Sequence, residues 1–500
     1  MSAGLILAID QGTTNTKALL VDQSGSPVFR TSSPLTIIST SDGFVEQDPL
    51  ALWRSVETVC ATAVQHASAT GERIEAVAIS NQRETAISWS ASTGEPLANA
   101  VSWQCGRSAA ICERLASKAD FFRGRTGLPL APLVSAGKWA WLVENSPAVQ
   151  KAKQKSDLRF GTVDAWLINR LSGAGAAHQT DLTNASRTGL LNLENREWDP
   201  DLLRIFDIPL AAMPALRQSA YHFGNCTVLP GLGNVPIVAA IGDSHAAMFG
   251  HGHFKPGSVK ATYGTGSSLM ALTSALQSNT KSLARTIAWS ANDRTQFALE
   301  GNIPMTGSAV QWLGEFLNLA DPAVSIAELA SIVDDTDGVY FVPAMLGLGA
   351  PHWNASARGA ISGLCRHHTS AHLARAALDA VAYQVADVFF AMQSAAGIEV
   401  PELLADGGAT RNSFLMQFQA DILGCPVLRS GNEELSAIGA AWLAGLELGW
   451  WKSIEDLESI GQNVDRFEPR MKEGKRQALY DGWKQAIANV CCDQEERGTV

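Results

Sequence analysis

The chain opens on an apolar run, LILAID, and a second apolar run, KALLVD, follows a few residues later. Between them lie Gly12, Thr13 and Thr14, and Lys17 closes the segment. Two short apolar runs around a Gly–Thr turn predict a β-hairpin with Asp10 at the end of its first strand. The N–H groups and hydroxyls of such a turn can wrap phosphate oxygens, although an ordinary turn rich in Gly and Thr has the same composition. The GxxxxGK[ST] phosphate loop is absent from the chain. After a third strand-like run, SPVFR, a helix starts cleanly. Asp48 can cap it, Pro49 suits its first turn, and Leu52, Trp53, Val56, Val59, Cys60 and Ala63 recur on one face. The strand EAVAIS (75–80) then leads into the polar run Asn81-Gln82-Arg83-Glu84-Thr85.

Near residue 250 this order restarts. GHGHFKPGS (250–258) reads as a hinge, and GSVKATYGTGSSLMALTS repeats strand, Gly–Thr turn, strand. The expectation is two similar domains, 1–250 and 251–500, each offering a hairpin to a shared cleft. ELLADGGATRNSFLMQFQADILG reads as a strand, a diglycine at 407–408 and a helix, a third glycine loop at a strand end. His372 to Ala396 has a long helical pattern ended by Gly397. In IVAAIGDSHAAMFG, Asp243 ends an apolar strand and opens an Ala-rich helix, a common place for an N-cap.

Composition narrows the function classes. At 500 residues the chain exceeds what one core usually serves, which also favours two domains. Hydrophobic content of 46% with 17% charged residues fits a compact soluble protein. A net charge of −11 and a pI near 5.4 argue against nucleic acid or an anionic membrane as partner, but leave room for a nucleotide held by local donors. The eight cysteines are scattered with no CxxC, which fits a reduced, cytoplasmic setting better than a disulfide frame or zinc site. No apolar run reaches membrane-spanning length, and the first is too short for a signal peptide. His367-His368 has no ligand partner at metal spacing, so no metal is assigned to it.

Taken together and in order, the motifs resemble the FGGY carbohydrate kinases, the glycerol kinases among them most closely. DQGTT, SNQRET (80–85), WQC (103–105), VDAWLI (163–168), TNASRT (183–188), YGTG (263–266), QWL (311–313), GLGAPHW (347–353) and DGGATRN (406–412) carry the resemblance, which runs from about Leu5 to Trp483. It implies an α/β fold of two actin-like (ribonuclease H-like) domains flanking an ATP cleft, with Mg²⁺ as cofactor. By similarity, Asp243 is the general base that accepts the acceptor's hydroxyl proton. Asp10 holds Mg²⁺ through water. Gly12, Thr13, Thr14, Thr265 and Gly266 bind the β- and γ-phosphates, and Lys17 stands where the family usually carries arginine, keeping the charge but losing a fork. Gly307, Gln311, Gly408 and Asn412 line adenine and ribose, glycine leaving space for the purine. Arg83 and Glu84 match a diol, one donating and the other accepting. Trp103 walls the carbon chain.

Three positions depart from the pattern. Leu133 replaces a tyrosine, Ser244 a glutamine and Ser268 a phenylalanine. A glycerol pocket so altered is loose, and a 1 Å misplacement of a reacting atom can cost about 100-fold. The expected acceptor is therefore larger or more polar than glycerol, such as a tetritol, pentitol or ketose, with glycerol itself the alternative. Asn234 stands where some bacterial members carry an arginine that binds a sugar bisphosphate, so inhibition by fructose 1,6-bisphosphate is not expected. His245 reads as a packed helix residue. The rival from another class is an actin-like ATPase without a small-molecule acceptor, which would have no use for Arg83, Glu84 and Trp103 beside Asp243. Family resemblance is compatible with a homo-oligomer.

Overall fold

In the computed structural model, residues 4–173, 177–274, 276, 280–397, 399–460 and 463–492 are described. Two mixed sheets dominate, one in each half of the chain. The first contains β1 (Gly4–Gln11), β2 (Asn15–Val21), β3 (Pro27–Pro34), β4 (Arg73–Asn81), β5 (Ala220–Cys226) and β6 (Val235–Gly242), in the order β5-β6-β4-β1-β2-β3. The second contains β7 (Val259–Tyr263), β8 (Ser267–Thr273), β9 (Ala284–Ala291), β10 (Arg294–Ile303), β11 (Leu403–Asp406), β12 (Val427–Ser430) and β13 (Val464–Phe467), in the order β9-β10-β8-β7-β11-β12-β13. Each sheet is built on an antiparallel hairpin, β1–β2 or β7–β8. On the outer side of each hairpin lies an antiparallel strand, β3 or β10. On the inner side lie two parallel strands, β4 and β6 or β11 and β12. The repeat legible in the two Gly–Thr turns is thus a repeat of topology.

The helices that matter for the site are α1 (Pro49–Thr70), α2 (Leu182–Ser186), α3 (Asp243–Gly250), α4 (Gly307–Phe316), α5 (Ser370–Ala396), α6 (Ser413–Leu423) and α7 (Leu435–Glu447). α1 starts as its sequence demands: the Asp48 carboxylate accepts the Leu50 N–H at 2.8 Å, and Gly71 ends the helix in the left-handed region. Strand alternation sorts β1 between two cores. Leu5, Leu7 and Ile9 pack with the apolar face of α1, whereas Ile6 and Ala8 join α3 and α7. The same rule sends Val259, Ala261 and Tyr263 of β7 into the core around α5, and leaves Lys260 on the opposite face.

α7 belongs to the second half of the chain, yet its Ala437, Ile438, Ala440, Ala441 and Trp442 share a core with residues of the first sheet. It crosses α3 at backbone contact. A Cβ on Gly439 would lie 1.9 Å from the Ala246 carbonyl oxygen, and one on Gly250 would lie 2.5 Å from the Leu435 carbonyl oxygen. Only glycine permits that approach. No helix among the described residues is long and apolar enough to cross a membrane.

Because α3 begins at Asp243 and α7 follows the β12 turn, this crossing sets how the two halves meet. Gly439→Ala should therefore cost about 1–3 kcal/mol by forcing the helices apart. A thermal unfolding scan should show a Tm lower than wild type by about 1–3 °C. An unchanged Tm would mean that the helices can separate freely.

Candidate active site

The chemically capable residues gather at the carboxyl ends of the parallel strands, where open α/β sheets place their ligands. Asp10 lies near the end of β1, Arg83 and Glu84 follow β4, Asp243 follows β6, and the diglycine follows β11. The turn of the first hairpin is tied to the Arg83 loop by Gln82, whose buried amide reaches the Gln11 side chain, the Gly12 carbonyl and the Gln47 side chain at 3.0–3.1 Å.

A buried chain of ion pairs runs through this region. The Arg83 Nε sits 3.2 Å from Asp243 Oδ1, and its Nη1 lies 2.7 Å from Glu300 Oε1. Arg187 pairs with Glu300 Oε2 at 2.7 Å through Nη1 and with Glu84 Oε1 at 2.6 Å through Nε. The Nη1 contact is ionic and poorly aligned for a hydrogen bond. Glu300 is fully buried. Burial pushes its carboxyl up, but Arg187 and Arg83 overcome this and hold it well below the usual carboxylate range. Asp243 behaves oppositely: desolvation raises its pKa against the opposing pull of Arg83. Although it sits deep between the halves, its side chain keeps 38% of its surface open. Its ion pair with Arg83 and the bond it accepts from the Ser244 N–H at 2.6 Å both use Oδ1.

Backbone geometry is held by the same groups. Glu84 adopts φ of 60°, rare for a residue with a side chain. Its carbonyl accepts the Ser135 hydroxyl at 3.0 Å and its carboxylate is held by Arg187, so both ends are fixed. The segment carrying α2 braces both strand ends. Asn184 and Asn81 exchange amide bonds at 2.9 and 3.1 Å, and the Gly242 N–H donates to Thr183 Oγ1 at 2.9 Å, just before Asp243. Leu133 is half-buried in the turn two residues before Ser135, where its carbonyl accepts the buried Lys138 ammonium. Burial lowers Lys138 to about 7.

Asp10 accepts the Ser80 hydroxyl at 2.8 Å. Desolvation, opposed by Lys17 and assisted by Asp243 and Glu434, raises its pKa to about 6. Lys17 is committed across the halves, 2.6 Å from Glu434. Trp103, 37% exposed, donates its indole N–H to Thr13 Oγ1 at 2.9 Å, which places the ring beside the first hairpin turn. In the second half, the turn from Gly264 to Gly266 presses on the start of α4. The Gly307 N–H bonds the Gly264 carbonyl at 3.1 Å, and Thr265 accepts from the Thr306 and Ser308 N–H groups. A Cβ on Gly307 would come within 2.5 Å of that Gly264 carbonyl, so its glycine serves the turn, a different reason from the purine space read in the sequence. Gly408 is exposed, and a Cβ there meets nothing within 4 Å. Asn412 caps α6 through the Leu415 N–H, and Gln311 reaches Glu315 on the exposed side of α4.

Three members of the site carried no role in the sequence reading: Arg187, Glu300 and Lys260. Their signal was a lone charge inside an apolar strand, as in VKATY and FALEGN, or directly behind the TNAS segment. His245 is buried and neutral, its pKa pushed well below the usual value by burial and Arg83, with Nε2 3.2 Å from Thr286. For the His367–His368 pair the structure corrects the sequence. A partner exists, Asp337, and the three ligand atoms lie within 4.8 Å of one another. However, His368 Nδ1 accepts the Cys365 N–H at 2.7 Å, so the neutral ring carries its proton on Nε2, the nitrogen facing Asp337. The cluster is closed by its own hydrogen bonds.

Twin hairpins, a diglycine loop and a carboxylate at the cleft define an actin-like phosphotransferase. The chain belongs to the FGGY family of carbohydrate kinases: residues 5–250 match its N-terminal domain and residues 259–448 its C-terminal domain. Glycerol kinase 2 of Thermotoga maritima is 44% identical, covering 97% of this chain and 98% of that protein. A glycerol kinase of Paraburkholderia phymatum is 44% identical over 96% of this chain and 97% of its own length. Among solved structures, Plasmodium falciparum glycerol kinase with ADP superposes with a TM-score of 0.92 at 31% identity, covering 98% of both chains. A gluconate kinase from Lactobacillus acidophilus shares the fold, with a TM-score of 0.87 at 23% identity over 100% of this chain and 99% of that one. The protein is an ATP-dependent phosphotransferase acting on an alcohol group of a sugar or polyol.

Arg187→Met strips the guanidinium from two buried carboxylates. The loss should be about 3–5 kcal/mol of unfolding free energy in urea. Adding Glu300→Gln should cost less than the sum of the single changes, because one orphaned charge is then removed. Additive costs would contradict the pairing.

Proposed function

We propose that Asp243 is the general base for transfer of the ATP γ-phosphoryl group to a primary hydroxyl of a small polyol or ketose. The acceptor oxygen attacks the γ-phosphorus, the new O–P bond forms as the bond to the β,γ-bridging oxygen breaks, and that oxygen leaves with its electron pair on ADP. The hydroxyl proton passes to Asp243. The observation that carries this reading is the partly open Asp243 carboxylate, held through Oδ1 by Arg83, with Arg83 in turn anchored on buried Glu300. A raised pKa suits a base that must accept and then release a proton.

In this reading Arg83 and Glu84 receive the acceptor's diol, and Leu133, Ser244, Ser268 and Trp103 line its pocket. Gly12, Thr13, Thr14, Lys17, Thr265 and Gly266 hold the phosphates, and Gly307, Gln311, Gly408 and Asn412 border the nucleoside. The half at 1–250 carries the acceptor side and the base, and that at 251–500 carries the nucleotide. A divalent cation suits Asp10: three carboxylates, Asp10, Asp243 and Glu434, crowd one region with Lys17 as the nearby counter-charge. Bound Mg²⁺ would neutralise phosphate charge there, and Asp10 would orient its waters. The free thiols, several of them buried, fit a cytoplasmic setting.

Coupled ADP release under saturating ATP and Mg²⁺ tests the base. Asp243→Asn should lower kcat by about 10²–10⁴-fold while the acceptor KM changes little. Wild-type turnover by this variant would remove Asp243 from the reaction. ATP-driven filaments with no acceptor dependence would favour the actin-like ATPase instead.

A further inference from the structure

We propose that Ser244, Ser268 and Lys260 form a subsite for one more acceptor oxygen than glycerol possesses, so that the preferred substrate is a four- or five-carbon polyol or ketose. The inference rests on the kinase reading above and deepens it.

Lys260 projects from β7 toward the first half, on the face opposite the α5 core, and is fully buried. Its Nζ donates to Ser244 Oγ and to Thr262 Oγ1, both at 2.7 Å. A buried ammonium is costly, and one spent on hydroxyls orients them. With one of its lone pairs taken by Lys260, Ser244 directs its own proton onward. The Ser268 hydroxyl is 3.2 Å away, and Ser268 in turn faces Glu300 Oε1 at 3.4 Å. The row therefore runs from a cation to a carboxylate. Its first link is short, and the last two exceed the usual 2.7–2.8 Å for O–H···O bonds. A ligand oxygen can replace those long links, accepting from Ser244 and, if it is a hydroxyl, donating to Ser268.

The position of the row is as informative as its chemistry. Ser244 is the residue after Asp243, and Ser268 shares Glu300 with Arg83. With Asp243 on the reacting hydroxyl and Arg83 and Glu84 on the neighbouring diol, all three oxygens of glycerol are placed. The serines then address an oxygen farther along the carbon chain. A phenylalanine at 268 or a glutamine at 244 would fill that space with a bulkier group. Lys260 acts through Ser244 and is a positioning residue.

Steady-state ADP release by the full-length enzyme with ATP and Mg²⁺ tests this against glycerol, erythritol, threitol, ribitol, xylitol, ribulose and xylulose. The best four- or five-carbon acceptor should exceed glycerol in kcat/KM by about tenfold or more, the worth of one well-made hydrogen bond to a charge-backed group. Ser268→Phe should lower that ratio about 10- to 100-fold. Lys260→Met should raise KM for the longer acceptors far more than for glycerol, a split that general loosening would not produce. Ser268→Ala, which removes only an oxygen, should lower the ratio in the same direction, and it keeps the test open if the bulkier variant or Lys260→Met does not fold. Preference of the wild type for glycerol, or a ratio unmoved by Ser268→Ala, would overturn the subsite while leaving the kinase intact. No acceptor-dependent ADP release from any compound would instead overturn the kinase reading itself.

Discussion

Everything at the cleft hangs on one row of paired charges, four of them buried and the last half-open: Glu84, Arg187, Glu300, Arg83 and Asp243. Three carboxylates and two guanidiniums leave one negative charge over, and the geometry leaves it at Asp243. Glu300 is clasped by both arginines and is held far below its ordinary pKa, while Asp243 shares Arg83 with Glu300 and titrates above its ordinary value. Burying four of these charges is a poor route to stability, since desolvation offsets much of the attraction. What the row provides is position. Glu300 comes from the second half and the other four from the first, so the carboxylate that meets the acceptor is referenced to both sheets at once.

The crossing of α3 and α7 serves the same end from the other side. α3 carries Asp243 at its first position, and α7 follows the turn that carries Glu434, the partner of Lys17. Glycines at 250 and 439 let the two backbones touch, so the start of α3 is set by packing as well as by charge. The Asp181–Thr183–Gly242 hydrogen bonds steady the last residue of β6 beneath it.

Much of this was legible in the residues. The hairpin at Asp10, the capped helix at Pro49, the second Gly–Thr hairpin and the strand-to-helix switch at Asp243 all follow local rules of alternation, capping and turn chemistry, and each stands where those rules put it. What local rules cannot reach is pairing across the chain. Arg187 and Glu300 lie more than one hundred residues apart, and Lys260 meets Ser244 through the packing of β7 against α3 across the two halves. The packing of α7 on the first sheet was hidden for the same reason. The ion pair of Lys17 with Glu434, which joins the two halves, was hidden for the same reason. The close approach of Gly307 to the backbone of Gly264 was likewise out of reach of local rules.

A crystal structure with ADP, Mg²⁺, a planar metal-fluoride mimic of the transferring phosphoryl group and the best acceptor would examine the ion row most directly. The account predicts Arg83 still bridging Glu300 and Asp243, with the free oxygen of Asp243 about 2.6–3.2 Å from the acceptor hydroxyl that points at the mimic. An acceptor hydroxyl facing the mimic with Asp243 turned away from it, or with Arg83 released from Glu300, would contradict it.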